Sequence, residues 1–336
     1  MQDHQQGNNS VKSTKFIQNF WKGIATTILI ALVVSGCGSA PQPKTYTIGV
    51  VNYLDILQPI YDGFKAGLAD LGYVEGENIT FIYNGAVAPE QAAIEAEIQS
   101  LIDQDVDMIY AMGTLPTLVA KDLVAGTDIP VVFAPVIDPV GEGAVDSIAQ
   151  PGGNVTGVQN ANYSPKGLEW LLKIVPGTET VYVFYHPEDE VSLTVSQALP
   201  DAAKTLGVEL KLTPVNTPEE ALPIVQNLPT GASILIIPTP RLGTLTPVKE
   251  LAVELNVPIG SYDQPADGTL FSYKVDWPTQ GRQAARMADQ ILKGAKPADL
   301  PVETADLFFT VNLPIAQQFG IVIPDEILNQ ADTILR

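Results

Sequence analysis

From Tyr46 onward, short runs of apolar and β-branched residues alternate with longer stretches in which apolar positions recur every three or four residues. The short runs read as strands buried on both faces, and the longer ones as amphipathic helices. The first half predicts strands over residues 47–51, 79–83, 108–112, 131–136 and 155–158, with helices over 58–71, 89–102, 115–124 and 140–148. In the first of these helices, Ile60, Phe64, Leu68 and Leu71 form the apolar stripe. The series resumes with strand 181–185, helix 193–206, strand 208–212, helix 218–228, strand 234–237, helix 246–255 and strand 258–261. Strand and helix in alternation predict an α/β fold of two doubly wound, mainly parallel sheets covered by helices. Gly72 and Gly207 each follow a leucine where a helix should stop, as C-terminal caps do. A break between the halves falls near residues 160–164.

Open parallel sheets take their ligands outside the carboxyl ends of their strands. Here those ends are residues 52–58, 113–116 and 134–139 in the first half, and 186–192, 238–243 and 262–267 in the second. They nominate Tyr53, Gln58, Gly113, Thr114, Leu115 and Asp138, then Tyr185, Ser192, Arg241 and Asp263 as ligand-binding residues. Two such crests meeting across a hinge would enclose one site.

The segment before Tyr46 changes the picture of where this domain works. Lys12, Lys15 and Lys22 precede an apolar run over residues 23–34, the order of a secretory signal. Twelve apolar residues are short of the ~20 that span a bilayer as a helix. The run ends in Val34-Ser35-Gly36-Cys37, which matches a bacterial lipobox; an uncleaved anchor followed by a stray cysteine is the alternative. Residues 1–36 are thus expected to be a signal peptide and 37–44 a tether lipidated at Cys37. Removing the signal deletes three lysines and one aspartate, so 15 bases face 37 acids and the formal charge moves from −20 to −22. So acidic a surface excludes nucleic acid as a partner. A single cysteine permits no internal disulfide, and two histidines, His4 and His186, leave little for a metal centre or a hydrolytic triad. No nucleophile elbow, Walker loop or His-Glu-x-x-His is present, so neither an enzyme nor a cofactor is expected.

From Pro130 the chain reads PVVFAPVIDPVGEGAVDSIAQPGGNVTGVQ, which resembles the signature of the lipid-anchored solute-binding proteins of ABC transporters, the tryptophan- and tyrosine-type receptors among them. Further matches follow in the family's order: GFKAGLADLGYVEGENITFIY from Gly63, YHPEDEVS from Tyr185 and DGTLFSYKVDW from Asp267, before a helix ending in ILKG. The resemblance implies a periplasmic-binding-protein type I fold, with one lobe from residues 45–160 and 273–308 and the other from 161–272 and 309–336. It further implies three crossovers, near 160–164, 272–276 and 307–311, and a monomer that hands its solute to a permease driven by an ATPase. A receptor presenting its closed form to a membrane sensor is the other reading. Two positions depart from the family pattern. Val191-Ser192 stands where Asn-Ser is usual, and Thr239-Pro240-Arg241 where Thr-Asp-Asn is common. The second departure removes an acid that could pair with an ammonium and sets a guanidinium beside its place, pointing to an anionic group on the solute.

Several nominated residues carry a plainer reading as well. Thr114 either caps the helix expected from Leu115 or marks a helix N-terminus that receives an anion, with Gly113 allowing close approach or merely turning the chain. Asp138 contacts ligand or caps the helix expected after it, and Ser192 does one or both at Leu193. Tyr185 offers an aromatic face or packs in the core. Arg241 is a two-point anion binder or a surface arginine paired with an acid. His186 lies near Glu188, Asp189 and Glu190, but one histidine with flexible acids lacks the spacing of a metal cage.

Overall fold

The predicted apolar runs become strands of two sheets. The computed structural model describes residues 44–160, 164–262 and 268–336, so the lipobox, most of the tether, residues 161–163 of the expected hinge and Asp263 lie outside the described residues. The first lobe contains β1 (Tyr46–Val51), α1 (Gln58–Asp70), β2 (Ile79–Ile82), α2 (Gln91–Asp103), β3 (Met108–Ala111), α3 (Thr114–Leu123), β4 (Val131–Val136) and β5 (Val155–Gln159). The second contains α4 (Ser164–Ile174), β6 (Thr180–Tyr185), α5 (Glu190–Leu206), β7 (Glu209–Pro214), α6 (Pro218–Val225), β8 (Ala232–Ile236), α7 (Thr246–Glu254), β9 (Ile259–Ser261) and β10 (Phe271–Val275). The chain then returns through α8 (Trp277–Leu292) and β11 (Glu303–Thr304), and ends with β12 (Leu307–Asn312), α9 (Leu313–Gln318), α10 (Asp325–Leu328) and β13 (Thr333–Leu335).

Among the described residues, the first sheet runs β11-β5-β4-β3-β1-β2 and the second β13-β12-β10-β9-β8-β6-β7. Every pairing is parallel except β10 with β12. Central strands are apolar on both faces because helices cover both; all four residues of β3 are buried. Phe64 of α1 stacks on Tyr110 of β3, ring centroids 3.9 Å apart and nearly coplanar. Burying a phenylalanine in this way stabilises the fold by about 2–3 kcal/mol.

The return of the chain closes both cores. In the first lobe, α8 lies against α1, and the contact is made through small residues. A Cβ on Gly63 would come within 2.1 Å of the Pro278 carbonyl oxygen, and one on Gly281 within 2.0 Å of the Ile60 carbonyl oxygen. In the second lobe, Trp170 of α4 stacks on Phe309 of β12, centroids 4.4 Å apart.

Three expectations are corrected. Residues 140–148 form turns, not a helix: Val140, Ala144, Val145 and Ile148 imitate helical spacing, but Gly141 and Gly143 interrupt it, and Gly143 has φ +76°. That segment is tied back by Lys121 Nζ, which donates to the Gly143 carbonyl. Helix α5 begins at Glu190, three residues before the expected start, so its N-cap is Asp189 and not Ser192. Helix α3 begins at Thr114 with Gly113 in the cap position, so the Thr114 side chain caps nothing.

Candidate functional site

The carboxyl ends of β1 and β3 are adjacent in the first lobe, and one buried asparagine organises the loop after β1. Asn52 Oδ1 accepts from the Leu54 N–H at 3.0 Å, while its Nδ2 donates to the Tyr83 hydroxyl at 3.2 Å. The Tyr83 hydroxyl in turn donates to Gln58 Oε1 at 3.0 Å, and Gln58 Nε2 donates to Asp62 Oδ1 at 2.9 Å. Both ends of the Gln58 amide are therefore engaged inside this lobe. Tyr53 is half-buried and covers Gly113, whose φ is +96°. A Cβ there would sit 2.5 Å from the Tyr53 ring, so both backbone conformation and space require glycine. With no side chain in the cap position, the N–H groups of Thr114 and Leu115 stand at the head of α3. Thr114 and Leu115 are half-buried; the Thr117 hydroxyl returns to the Gly113 carbonyl at 2.7 Å. Asp138, beside them after β4, is exposed and accepts from the Gly141 N–H at 2.8 Å, so it shapes a turn in place of the helix cap expected of it.

In the second lobe β6 and β8 are neighbours, and the loops after them are joined. His186 is buried with Nδ1 accepting from the Glu188 N–H at 3.1 Å. Ser192 is fully buried; its hydroxyl donates to the carbonyls of His186 at 3.0 Å and Asp189 at 3.1 Å, which leaves it a bracing role. Asp189 accepts from the N–H groups of Val191 and Ser192 and also, across 52 residues, from the N–H of Arg241 at 3.2 Å. Arg241 sits in a single 3-10 turn, Pro240–Leu242, with its side chain 58% exposed. Among the described residues its acidic partner is Glu188, at a loose 3.7 Å with a side chain that is itself exposed. Thr239, just before it, is buried with a hydroxyl that has no partner among the described residues. Tyr185 is half-buried at the end of β6, partly in the core.

The structure thus brings Tyr53, Gly113, Thr114, Leu115 and Asp138 to the crest of one sheet, and Tyr185, Ser192 and Arg241 to the crest of the other. Sequence reasoning missed Asn52, Asp189 and Thr239. Asp189 carries a recognisable signal, an acid just ahead of an amphipathic run, but Glu188 and Glu190 flank it and blur which acid caps. Among the described residues no group of three or more His, Cys, Asp or Glu is arranged to hold a metal ion, and no helix is long and apolar enough to cross a membrane.

Two lobes of mainly parallel sheet, each with helices on both faces and a chain that crosses back to complete the first before ending in the second, define the type I periplasmic binding class of solute receptors. The chain belongs to the ABC transporter substrate binding protein family, whose model matches residues 48–335. A tyrosine-binding protein of Clostridioides difficile (strain R20291) is 28% identical over 248 residues, 73% of this chain and 71% of that protein. A Streptococcus pneumonia protein in complex with L-Trp superposes with a TM-score of 0.65 at 26% identity, covering 87% of this chain and all of that one. A ligand-free, open substrate binding protein with adhesive properties from Clostridium difficile gives a TM-score of 0.71 at 24% identity, covering 87% and 99% of the two chains, and supports the fold. The protein is the substrate-binding component of an ABC transporter; its relatives bind solutes and are not enzymes, and the family acts outside the cytoplasm.

Proposed function

We propose that this protein is the lipid-anchored receptor of an ABC importer, capturing a small carboxylate-bearing solute of the amino-acid type between its two lobes and delivering it as a monomer to a permease and ATPase. The observation that carries the reading is Arg241: an exposed side chain at the carboxyl end of a second-lobe strand, whose acidic partner among the described residues, Glu188, is loosely held. In the first lobe, the head of α3 offers the Thr114 and Leu115 N–H groups to the same anion, and Tyr53 offers a flat apolar surface. Relatives that bind tyrosine and L-Trp support a solute of this size with a carboxylate. Mass spectrometry of the purified protein after mild denaturation is expected to release a small molecule with an acid group. Recovery of a purely cationic solute would end the carboxylate reading.

Capture by two lobes requires them to close, because a ligand touching both favours the form in which both reach it. The bending points proposed are the crossovers at 160–164, at 276 after β10 and at 305–306 before β12. This narrows the expected lobes to 45–160 plus 276–306 and 161–275 plus 307–336, because β10 and β12 pair with each other within the second sheet. Small-angle scattering is expected to record a smaller radius of gyration when the released solute is added back to saturation. An unchanged radius at saturation would count against closure.

Anchorage rests on Val34-Ser35-Gly36-Cys37 following the apolar run. Two acyl chains at Cys37, each buried CH₂ contributing ~0.8 kcal/mol, suffice for lasting attachment. Cys37→Ser is expected to leave residues 1–36 uncleaved and to abolish incorporation of labelled fatty acid. Processing and labelling like those of the wild type would refute lipidation.

A further inference from the structure

Among the described residues, the second lobe buries a carboxylate that no basic side chain neutralises. Asp189 is only 5% exposed, and among the described residues its partners are three backbone N–H groups. A buried carboxylate is costly unless hydrogen bonds and a favourable dipole compensate it. The head of α5 supplies part of that compensation: Oδ1 accepts from Val191 at 3.1 Å and Ser192 at 3.4 Å, the usual work of an N-cap. An N-cap uses one oxygen. The second, Oδ2, reaches the loop after the neighbouring strand and accepts from the Arg241 N–H.

That donor is the one the turn leaves open. Pro240 has no N–H, while the Leu242 N–H is used by the Thr239 carbonyl and the Gly243 N–H points to the Pro240 carbonyl. The turn ends at Gly243 with φ +63° and ψ −143°, a conformation that side chains other than glycine's resist. Arg241 is therefore held at its backbone by Asp189 and followed by a glycine corner, while its side chain is largely exposed.

We infer that Asp189 is the positioning residue for solute capture: through its second oxygen it locks the β8 loop to the β6 loop and so aims the Arg241 guanidinium. This rests on the proposed reading that Arg241 holds the carboxylate of the solute. A pre-aimed arginine loses less freedom when it binds, so the brace raises affinity without touching the solute. The rival account is that Asp189 only caps α5, in which case its loss would lower stability and leave the arginine's contribution intact.

Asp189→Asn separates the two. The amide oxygen still caps α5, but the NH₂ group now faces the Arg241 N–H, donor against donor. Asp189→Ser gives the same separation with an ordinary capping residue too short to cross to Arg241, and serves if the asparagine variant folds poorly. Hydrogen exchange on the full chain is read first, without any ligand. The Arg241 amide is expected to exchange at least tenfold faster in either variant while the α5 amides keep their protection; equal Arg241 exchange in variant and wild type overturns the brace. Calorimetry with L-tryptophan as the probe is read second. Affinity is expected to fall about tenfold in the Asp189 variant, and the double variant with Arg241→Gln to bind no more weakly than Arg241→Gln alone. Losses that multiply would show Asp189 acting independently of Arg241 and overturn the positioning role. A wild type that gives no heat with L-tryptophan counts against the solute class proposed above, and the exchange measurement then decides the brace by itself.

Discussion

Gly281→Ala is expected to destabilise the protein by roughly 1–3 kcal/mol, the usual cost of forcing extra atoms into a packed contact. In an isolated helix the same change would gain about 1 kcal/mol, since alanine is the better helix former. The environment reverses the sign. The new Cβ would lie 2.0 Å from the Ile60 carbonyl oxygen and 2.6 Å from the Phe64 nitrogen, and neither is the movable end of a side chain. Helices α1 and α8 must separate, loosening the core around Phe64, Tyr110, Ala284 and Ala288. Gly63→Ala meets the Pro278 backbone in the same way. Gly177→Ala is the control: nothing lies within 4 Å of its Cβ, so its effect should be near zero. Thermal melting checks the set, with a fall of several degrees expected for Gly281→Ala and Gly63→Ala. Equal melting of Gly281→Ala and wild type would mean that the two helices do not meet as described.

The same contact explains what could and could not be read in the chain. Strands such as β3 and β4 are legible because burial on both faces writes a continuous apolar run. Gly63, Gly67 and Gly281 write nothing recognisable: within a helix they read as weak positions, and their meaning comes from a partner more than 200 residues away. Strands β11 and β13 escape for a related reason, being elements of two and three residues fixed by non-local pairing more than by local pattern. The turns at 140–148 were misread because apolar spacing was followed past two glycines. At the candidate site, Arg241 stood out because basic residues are scarce and it falls at a strand end. Asp189 did not, since the use of its second oxygen depends on β6 and β8 being neighbours, which local spacing does not encode.

Arg241→Gln is expected to weaken solute binding more than tenfold, whether the titrant is L-tryptophan or the acid released from the purified protein. A tenfold loss is ~1.4 kcal/mol, and truncating one partner of a desolvated charge pair costs ~2–5 kcal/mol. The Arg241 side chain is 58% exposed and its contact with Glu188 is long, so little is lost when the solute replaces that acid. Closure then removes water from the new pair, which is where the larger figure applies. Glutamine keeps a donor of similar reach but loses the charge and the two-pronged fork. The overall field works against the site: the full chain carries a formal charge of −20, or −22 with the proposed signal removed, which repels an anion before it arrives. Moderate salt, with a Debye length of ~10 Å at 0.1 M, should screen that repulsion before it weakens a contact at ~3 Å, so affinity for a released acid of net negative charge should first rise and then fall as salt is added. Zwitterionic L-tryptophan, with no net charge, should show only the fall. Calorimetry across a salt series compares wild type and variant. Equal affinities would remove Arg241 from the site, and a wild-type affinity for an acid of net negative charge that only falls from the lowest salt upward would show that the solute is not repelled by the acidic surface.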